Sequence, residues 1–201
     1  RDVQEAALAA AKAVLDVLVR RGVPNYFGPQ RFGARGDTGD LGAALVRGDA
    51  DNFLALYLGR PAPSDPAPVR TAREAFDSGD LPCAQSSWPR RYRDEKRVLS
   101  PLQRKGSGAA LRAVDRRMKR LFVSAAQSEV FNDVLAQRID SLDQVAAGDL
   151  AQKVGSGGVF LVENVAAEQA RAAAFEISPT GPIPGYRAPL AEGRPGQIEE
   201  E

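Results

Sequence analysis

Asn25, Phe27 and Arg31 are the residues whose types and spacing best suit recognition chemistry. They lie in the stretch Gly22-Val23-Pro24-Asn25-Tyr26-Phe27-Gly28-Pro29-Gln30-Arg31-Phe32-Gly33. An amide, a flat aromatic face and a guanidinium set this close together can hydrogen-bond and stack a splayed-out nucleobase. The same residues also read as turn anchors, because aromatics between Gly and Pro commonly bury their large surface in a core. Gly22 can end a preceding helix in the left-handed conformation, and Pro24 keeps that helix from restarting. Gly28 and Gly33 would let the backbone pass close to another surface.

Elsewhere the residue types exclude more chemistry than they offer. Histidine is absent from the 201 residues, which removes His-based triads, imidazole general bases and imidazole metal ligands. Cys83 is the only cysteine, so no internal disulfide or cysteine cluster can form. It reads as a small half-buried residue, and its solitude suits a reducing cytoplasm. Asp37 and Asp40 share a Gly-rich loop but fall short of the ligand count and spacing of a calcium loop. Gly155-Ser156-Gly157-Gly158 lacks the Lys-Ser/Thr ending and following helix of a phosphate cradle, and reads as a hairpin turn. Ser124 and Ser128 have no base to activate them and read as packing residues.

The elements that must position these groups are mostly helical. Val3, Ala7, Ala10, Val14, Leu15 and Leu18 repeat at helical spacing, so residues 2–21 form an amphipathic helix that delivers the Asn25 loop. Its Ala-rich start suggests close packing on another element, such as a sheet supplied by sequence outside these residues. Residues 34–40 read as a flexible polar connection, followed by short helices over 41–47 and 51–58. The prolines at 61, 63, 66 and 68 mark an extended stretch. Helical pattern resumes over 69–77, and Pro82 is read as its next break. Trp88, Tyr92, Val98 and Leu99 interleave with Arg90, Arg91, Arg93, Lys96 and Arg97 on a helical pattern over 88–102. That face suits RNA, but Trp88 and Tyr92 at i and i+4 also form one apolar edge suited to a core. Gly106-Ser107-Gly108 separates it from the longest stripe, Met118 to Ile139. After Gly148 the pattern changes to strands over 150–154, 159–162 and 175–177, with Asn164 capping a helix over 166–174. A rigid turn follows at 178–182, and the end through Glu199-Glu200-Glu201 reads as frayed.

No apolar run approaches the roughly 20 residues of a membrane helix, and no secretory leader is visible. Net charge is +1, unevenly spread: Trp88 to Arg120 holds twelve Lys or Arg against three acids, and Asp140 to Glu201 ten acids against four bases. The basic block reads either as an RNA-binding face or as a solvated helical face. Candidate RNA contacts are Arg31, Arg90, Arg91, Arg93, Arg116 and Arg117.

Val23-Pro24-Asn25-Tyr26-Phe27-Gly28 followed by Gln30-Arg31-Phe32-Gly33 resembles the signature of the TruD family of tRNA pseudouridine synthases. Further blocks agree in order: Leu121 to Ser128, Val130-Phe131-Asn132, Gly148-Asp149-Leu150 and Phe175 to Pro182. The resemblance implies an α+β chain, part of an α/β catalytic core interrupted by a mostly helical insertion domain. Residues 1–45 would be the latter part of the core, 46–188 the insertion and 189–201 the return towards the core. It implies that Asn25 and Phe27 line a uridine pocket, Phe27 stacking on the target base. The substrate would be tRNA, usually at uridine 13, in the cytoplasm. A carboxylate would cleave the N-glycosidic link before the base turns over and rejoins through carbon. No metal, nucleotide or other organic cofactor is implied.

The family's catalytic Asp stands in a Gly-x-Lys-Asp-Arg context. Lys12, Lys96, Lys105, Lys119 and Lys153 are followed by Ala, Arg, Gly, Arg and Val. No catalytic residue is therefore assigned within this chain, and the nucleophile is expected upstream of Arg1. The chain, which does not open on Met, is read as a partial synthase that alone forms no pseudouridine. A non-catalytic RNA-binding module and a helical protein-interaction module are the other readings open at this point.

Overall fold

The computed structural model describes residues 2–200. The chain divides into two compact units, Phe27–Glu129 and Arg1–Tyr26 with Val130–Glu201. These limits differ from the divisions at 45 and 188 that the family resemblance implies.

Phe27–Glu129 is a helical unit. A short 3-10 turn, Pro29–Phe32, precedes α2 (Thr38–Arg47), α3 (Ala50–Leu58), α4 (Ala67–Asp77), α5 (Leu81–Ser87), α6 (Arg93–Lys105) and α7 (Ser107–Ala113). The first part of the long helix α8 (Arg116–Gln137) completes it. The starts of α3, α5 and α8 are capped by short acidic side chains, which satisfy amides that a helix leaves unpaired. Asp49 accepts from Asn52 N at 3.0 Å, Asp80 from Cys83 N at 3.0 Å, and Asp115 from Arg117 N at 2.7 Å. Pro82 opens α5 rather than breaking a helix, because proline's missing N–H costs nothing in a first turn. The stop before it is Gly79 at φ +83°.

Phe53, Leu54, Leu58, Val69, Trp88, Val98 and Leu99 are all but sealed from solvent. The rings of Phe53, Tyr57 and Phe122 meet with centroids 5.5 to 6.1 Å apart, and burial pushes the Tyr57 phenol pKa up. Trp88 and Tyr92 pack at 5.2 Å, but they bracket the turn between α5 and α6 instead of sharing a helix. Arg73 is buried too. It donates to the carbonyls of Leu56, Tyr57 and Gly59, which close the end of α3, and its guanidinium stacks 5.3 Å over Trp88. Asp65 lies beside it and also binds Arg35 at 2.8 Å. Arg35 further holds Asp37, so the expected flexible connection over 34–40 is tied down by ion pairs and ends in α2.

The other unit is mixed. It contains α1 (Asp2–Arg21), the end of α8, β1 (Leu150–Lys153), β2 (Val159–Leu161), α9 (Val165–Ala173), β3 (Ile177–Pro179) and α10 (Gly193–Glu200). The sheet is antiparallel in the order β2-β1-β3, with Ala151 facing Phe160 on one side and Pro179 on the other. Its small core is Val145, Ala151, Val162, Ala172 and Ile177. Asp149, 1% exposed, grips both terminal nitrogens of Arg138 at 2.5 and 2.9 Å and takes Ala146 N at 2.7 Å. This anchors the segment after α8 to the start of β1. Asn164 caps α9 as expected, accepting from Ala167 N.

Three expectations need correcting here. β3 begins at Ile177 rather than 175, because Phe175 closes α9: its N–H donates to Ala172 O and that of Glu176 to Arg171 O. The segment expected to fray is helical over Gly193–Glu200, with Glu199 accepting from Ala191 N; Glu201 lies outside the described residues. In the helical unit, Cys83 is exposed rather than half-buried, since its helix turns Ala84 inward instead.

Candidate functional site

Helix α1 ends at Gly22, which stands at φ +84° and donates its N–H to Leu18 O at 2.9 Å. Such a left-handed residue is the usual way to stop a helix. Arg21 fixes that end in place. Its Nε and one terminal nitrogen donate to Asp143 Oδ1 at 3.0 and 2.8 Å, and the same terminal nitrogen donates to the carbonyls of Ile139 and Asp140. The guanidinium beside Asp143 holds that carboxyl below the usual carboxylate range. Asn25 follows four residues later and is exposed, and its side chain takes no hydrogen bond from the described residues.

Asn25 lines a cavity of about 420 Å³ that lies wholly within the mixed unit. The walls include Phe131 and Leu135 from α8, Gln152 from β1, Phe175 after α9, and Ser178 to Gly181. Gly181 is required by a close approach: a Cβ there would lie 2.7 Å from the Phe131 ring. Thr180 closes one side, its N–H and Oγ1 both donating to Leu150 O at 2.8 Å. Apolar rings beside a few polar groups describe a small-molecule or base-sized site. No carboxylate lines the cavity.

Phe27 belongs to the helical unit and lines an open depression of about 460 Å³ with Gly28, Arg31, Thr38 and Leu121. The Arg31 guanidinium sits 5.2 Å over its ring, a cation–π contact that backs the ring with charge. Gly33, at φ +75°, makes the expected close approach, since a Cβ there would lie 2.7 Å from Thr38 Oγ1; Gly28 is extended and meets nothing within 4 Å. Asn25 and Phe27, two residues apart in sequence, thus each line a hollow in their own unit.

The remaining candidates are surface cations of the helical unit. Arg90, Arg91 and Arg93 are exposed around the α5–α6 turn and the start of α6, and Arg91 stacks on Tyr92 at 5.1 Å. Arg116 and Arg117 are exposed at the first turn of α8, which carries no acidic residue. Phe131, Gln152 and Phe175 are the cavity residues that sequence reasoning passed over. Phe131 and Phe175 stood in blocks that matched the family signature, which was the available signal; Gln152 gave none.

Among the described residues no group of three or more His, Cys, Asp or Glu is placed to hold a metal ion. Nor is any helix among them long and apolar enough to cross a membrane.

The α+β architecture is the one that the resemblance to TruD implies, and a family comparison agrees with it. The model of the tRNA pseudouridine synthase D (TruD) family matches residues 1–201, so the chain belongs to that family. It is 42% identical over 203 residues to a tRNA pseudouridine synthase D of Geobacter sp. (strain M21), covering all of this chain and 51% of that protein. The counterpart in Geobacter metallireducens is 44% identical over 201 residues, covering 99% of this chain and 50% of that protein. A crystal structure of a Methanosarcina mazei chain assigned to TruD superposes with a TM-score of 0.86 at 28% identity, covering 98% of this chain and 48% of the other. The chain therefore spans about half the length of the curated relatives it matches.

Proposed function

We propose that this chain supplies the uridine-recognition part of a cytoplasmic tRNA pseudouridine synthase acting on uridine 13. The observation that carries the reading is that Asn25 lines a cavity walled by Phe131 and Phe175. A uracil ring has a hydrogen-bonding edge and two stacking faces, and this lining offers a partner for each. In this reading residues 1–45 form the latter part of a catalytic core, 46–188 an insertion domain, and 189–201 a return towards the core.

Isomerisation breaks the bond from ribose C1′ to uracil N1, rotates the base, and joins C1′ to C5, with the C5 proton leaving as N1 gains one. Nothing is gained or lost overall. The step needs a carboxylate at the ribose, and neither the Asn25 cavity nor the Phe27 depression has one in its lining. The chain therefore binds and orients the base, and the nucleophilic Asp comes from a Gly-x-Lys-Asp-Arg segment outside these residues. Extrusion of the target from its stack costs a few kcal/mol, which stacking on the aromatic rings of the cavity offsets in part.

The tRNA backbone meets the cationic surface of the helical unit. Arg116 and Arg117 stand at the N-terminus of α8, where cations oppose the helix dipole. Asp115 offsets part of that repulsion, and a phosphate would offset more. Arg90, Arg91 and Arg93 are further exposed cations of the same unit, while Arg31 backs Phe27.

The test is binding of unmodified tRNA across a salt series. Affinity should fall steeply with salt, and Asn25→Ala or Phe27→Ala should each weaken binding by about 1–3 kcal/mol. Salt-independent binding, or variants that bind as the native chain does, would count against the proposal.

A further inference from the structure

We infer that Phe175 is retained as a wall of the Asn25 cavity against the preference of its own backbone, and that it stacks on the uracil ring. The inference rests on the uridine reading above. Phe175 stands at φ +55° immediately after α9, in the left-handed position that closes a helix. Its N–H donates to Ala172 O and that of Glu176 to Arg171 O, both at 2.9 Å, so the geometry is a complete helix stop. Glycine is the residue that takes this conformation without steric cost. The chain uses glycine for the same purpose at Gly22 and Gly48, at φ +84° and +70°.

The ring does not repay the strain by building a core. It lies outside the cluster of Val145, Ala151, Val162, Ala172 and Ile177 and is 48% exposed. It faces the cavity instead, beside the α1 terminus: a Cβ on Gly22 would lie 3.5 Å from Phe175 Cε1. A bulky residue held in a sparsely populated backbone region at a cavity rim is a recognised mark of a ligand site. The cavity lining also includes Asn25 and Gln152, amide residues suited to a pyrimidine edge beside an aromatic face, with Gln152 Nε2 donating to Gly157 O at 3.3 Å. Phe175 is thereby assigned as a specificity residue for a flat monocyclic base.

The experiment pairs two readouts on Phe175→Gly and Phe175→Tyr: thermal unfolding, and binding of uridine 5′-monophosphate by equilibrium dialysis. Glycine should leave Tm unchanged or raise it by about 2–4 °C, while weakening nucleotide binding about fivefold or more. Tyrosine, which keeps both the ring and the strain, should bind as the native chain does. A glycine variant that melts lower yet binds normally would make the ring a structural staple and overturn the assignment. A glycine variant that melts normally and binds normally would overturn it too. Failure of the native chain to bind the nucleotide would instead overturn the uridine reading, and the stacking role with it.

Discussion

The helical unit buries its core aromatics, whereas the mixed unit presents Phe175 at its cavity. Phe53, Trp88 and Phe122 are at most 3% exposed, but Phe175 at the cavity is 48% exposed. The contrast continues in the helices. The apolar residues of α3 are sealed in the bundle, while α1 leaves Val3, Leu8, Val14, Leu15 and Val19 more than half exposed. The first unit spends its apolar surface on its own stability, and the second keeps much of it available for recognition. Core substitutions should therefore be costly for folding in the helical unit, and substitutions at the Asn25 cavity costly for binding in the mixed unit.

The strongest way to break that comparison is Phe53→Ala. It should cost about 3–5 kcal/mol, read from Trp88 fluorescence, since the only tryptophan lies in the helical unit. Protection of β1 amides from hydrogen exchange should survive; its loss would mean that the two units unfold together. Asp149→Asn sharpens the same comparison from the other side. It weakens the paired bonds to Arg138 in the mixed unit, at about 2–3 kcal/mol, and should expose β1 amides while leaving the Trp88 transition in place. Gly181→Ala is smaller, about 1–3 kcal/mol, because the added methyl displaces the Phe131 ring. Here nucleotide binding should fall more than stability does.

The Arg21–Asp143 pair gives a pH signature. A carboxyl whose folded pKa is depressed stabilises the fold above its ordinary value and loses that contribution as pH falls through the folded value. The α1 terminus should stay latched at neutral pH and release below the ordinary carboxyl value of 3.8. Exchange of the Gly22 amide across an acid titration would reveal it, and Asp143→Asn should flatten the profile. The smallest effect belongs to Leu8→Ser and Leu15→Ser, each within about 0.5 kcal/mol. A large loss at either would mean that the α1 face is covered.

Much of this was legible in the sequence. Helix α1 followed from the spacing of Val3, Val14, Leu15 and Leu18, the hairpin from strands around Gly155 to Gly158, and the α9 cap from Asn164. The family followed from the Asn25 loop and the ordered blocks. What escaped was set by tertiary contacts. Arg73 looks like a surface residue in the exposed-charge pattern of α4, yet it is buried because the carbonyls ending α3 converge on it. The start of β3 was misplaced because the positive φ of Phe175 is invisible in its residue type. Gln152 reaches the cavity only through the register of β1, which a local pattern does not specify.

The most direct measurement is the side-chain amide signal of Asn25 in a titration with uridine 5′-monophosphate, followed by protein NMR. Binding at the cavity predicts saturable shifts at Asn25, Gln152 and the backbone of Thr180 and Gly181. Shifts confined to the arginine-rich helices, with the Asn25 amide unmoved, would contradict the account.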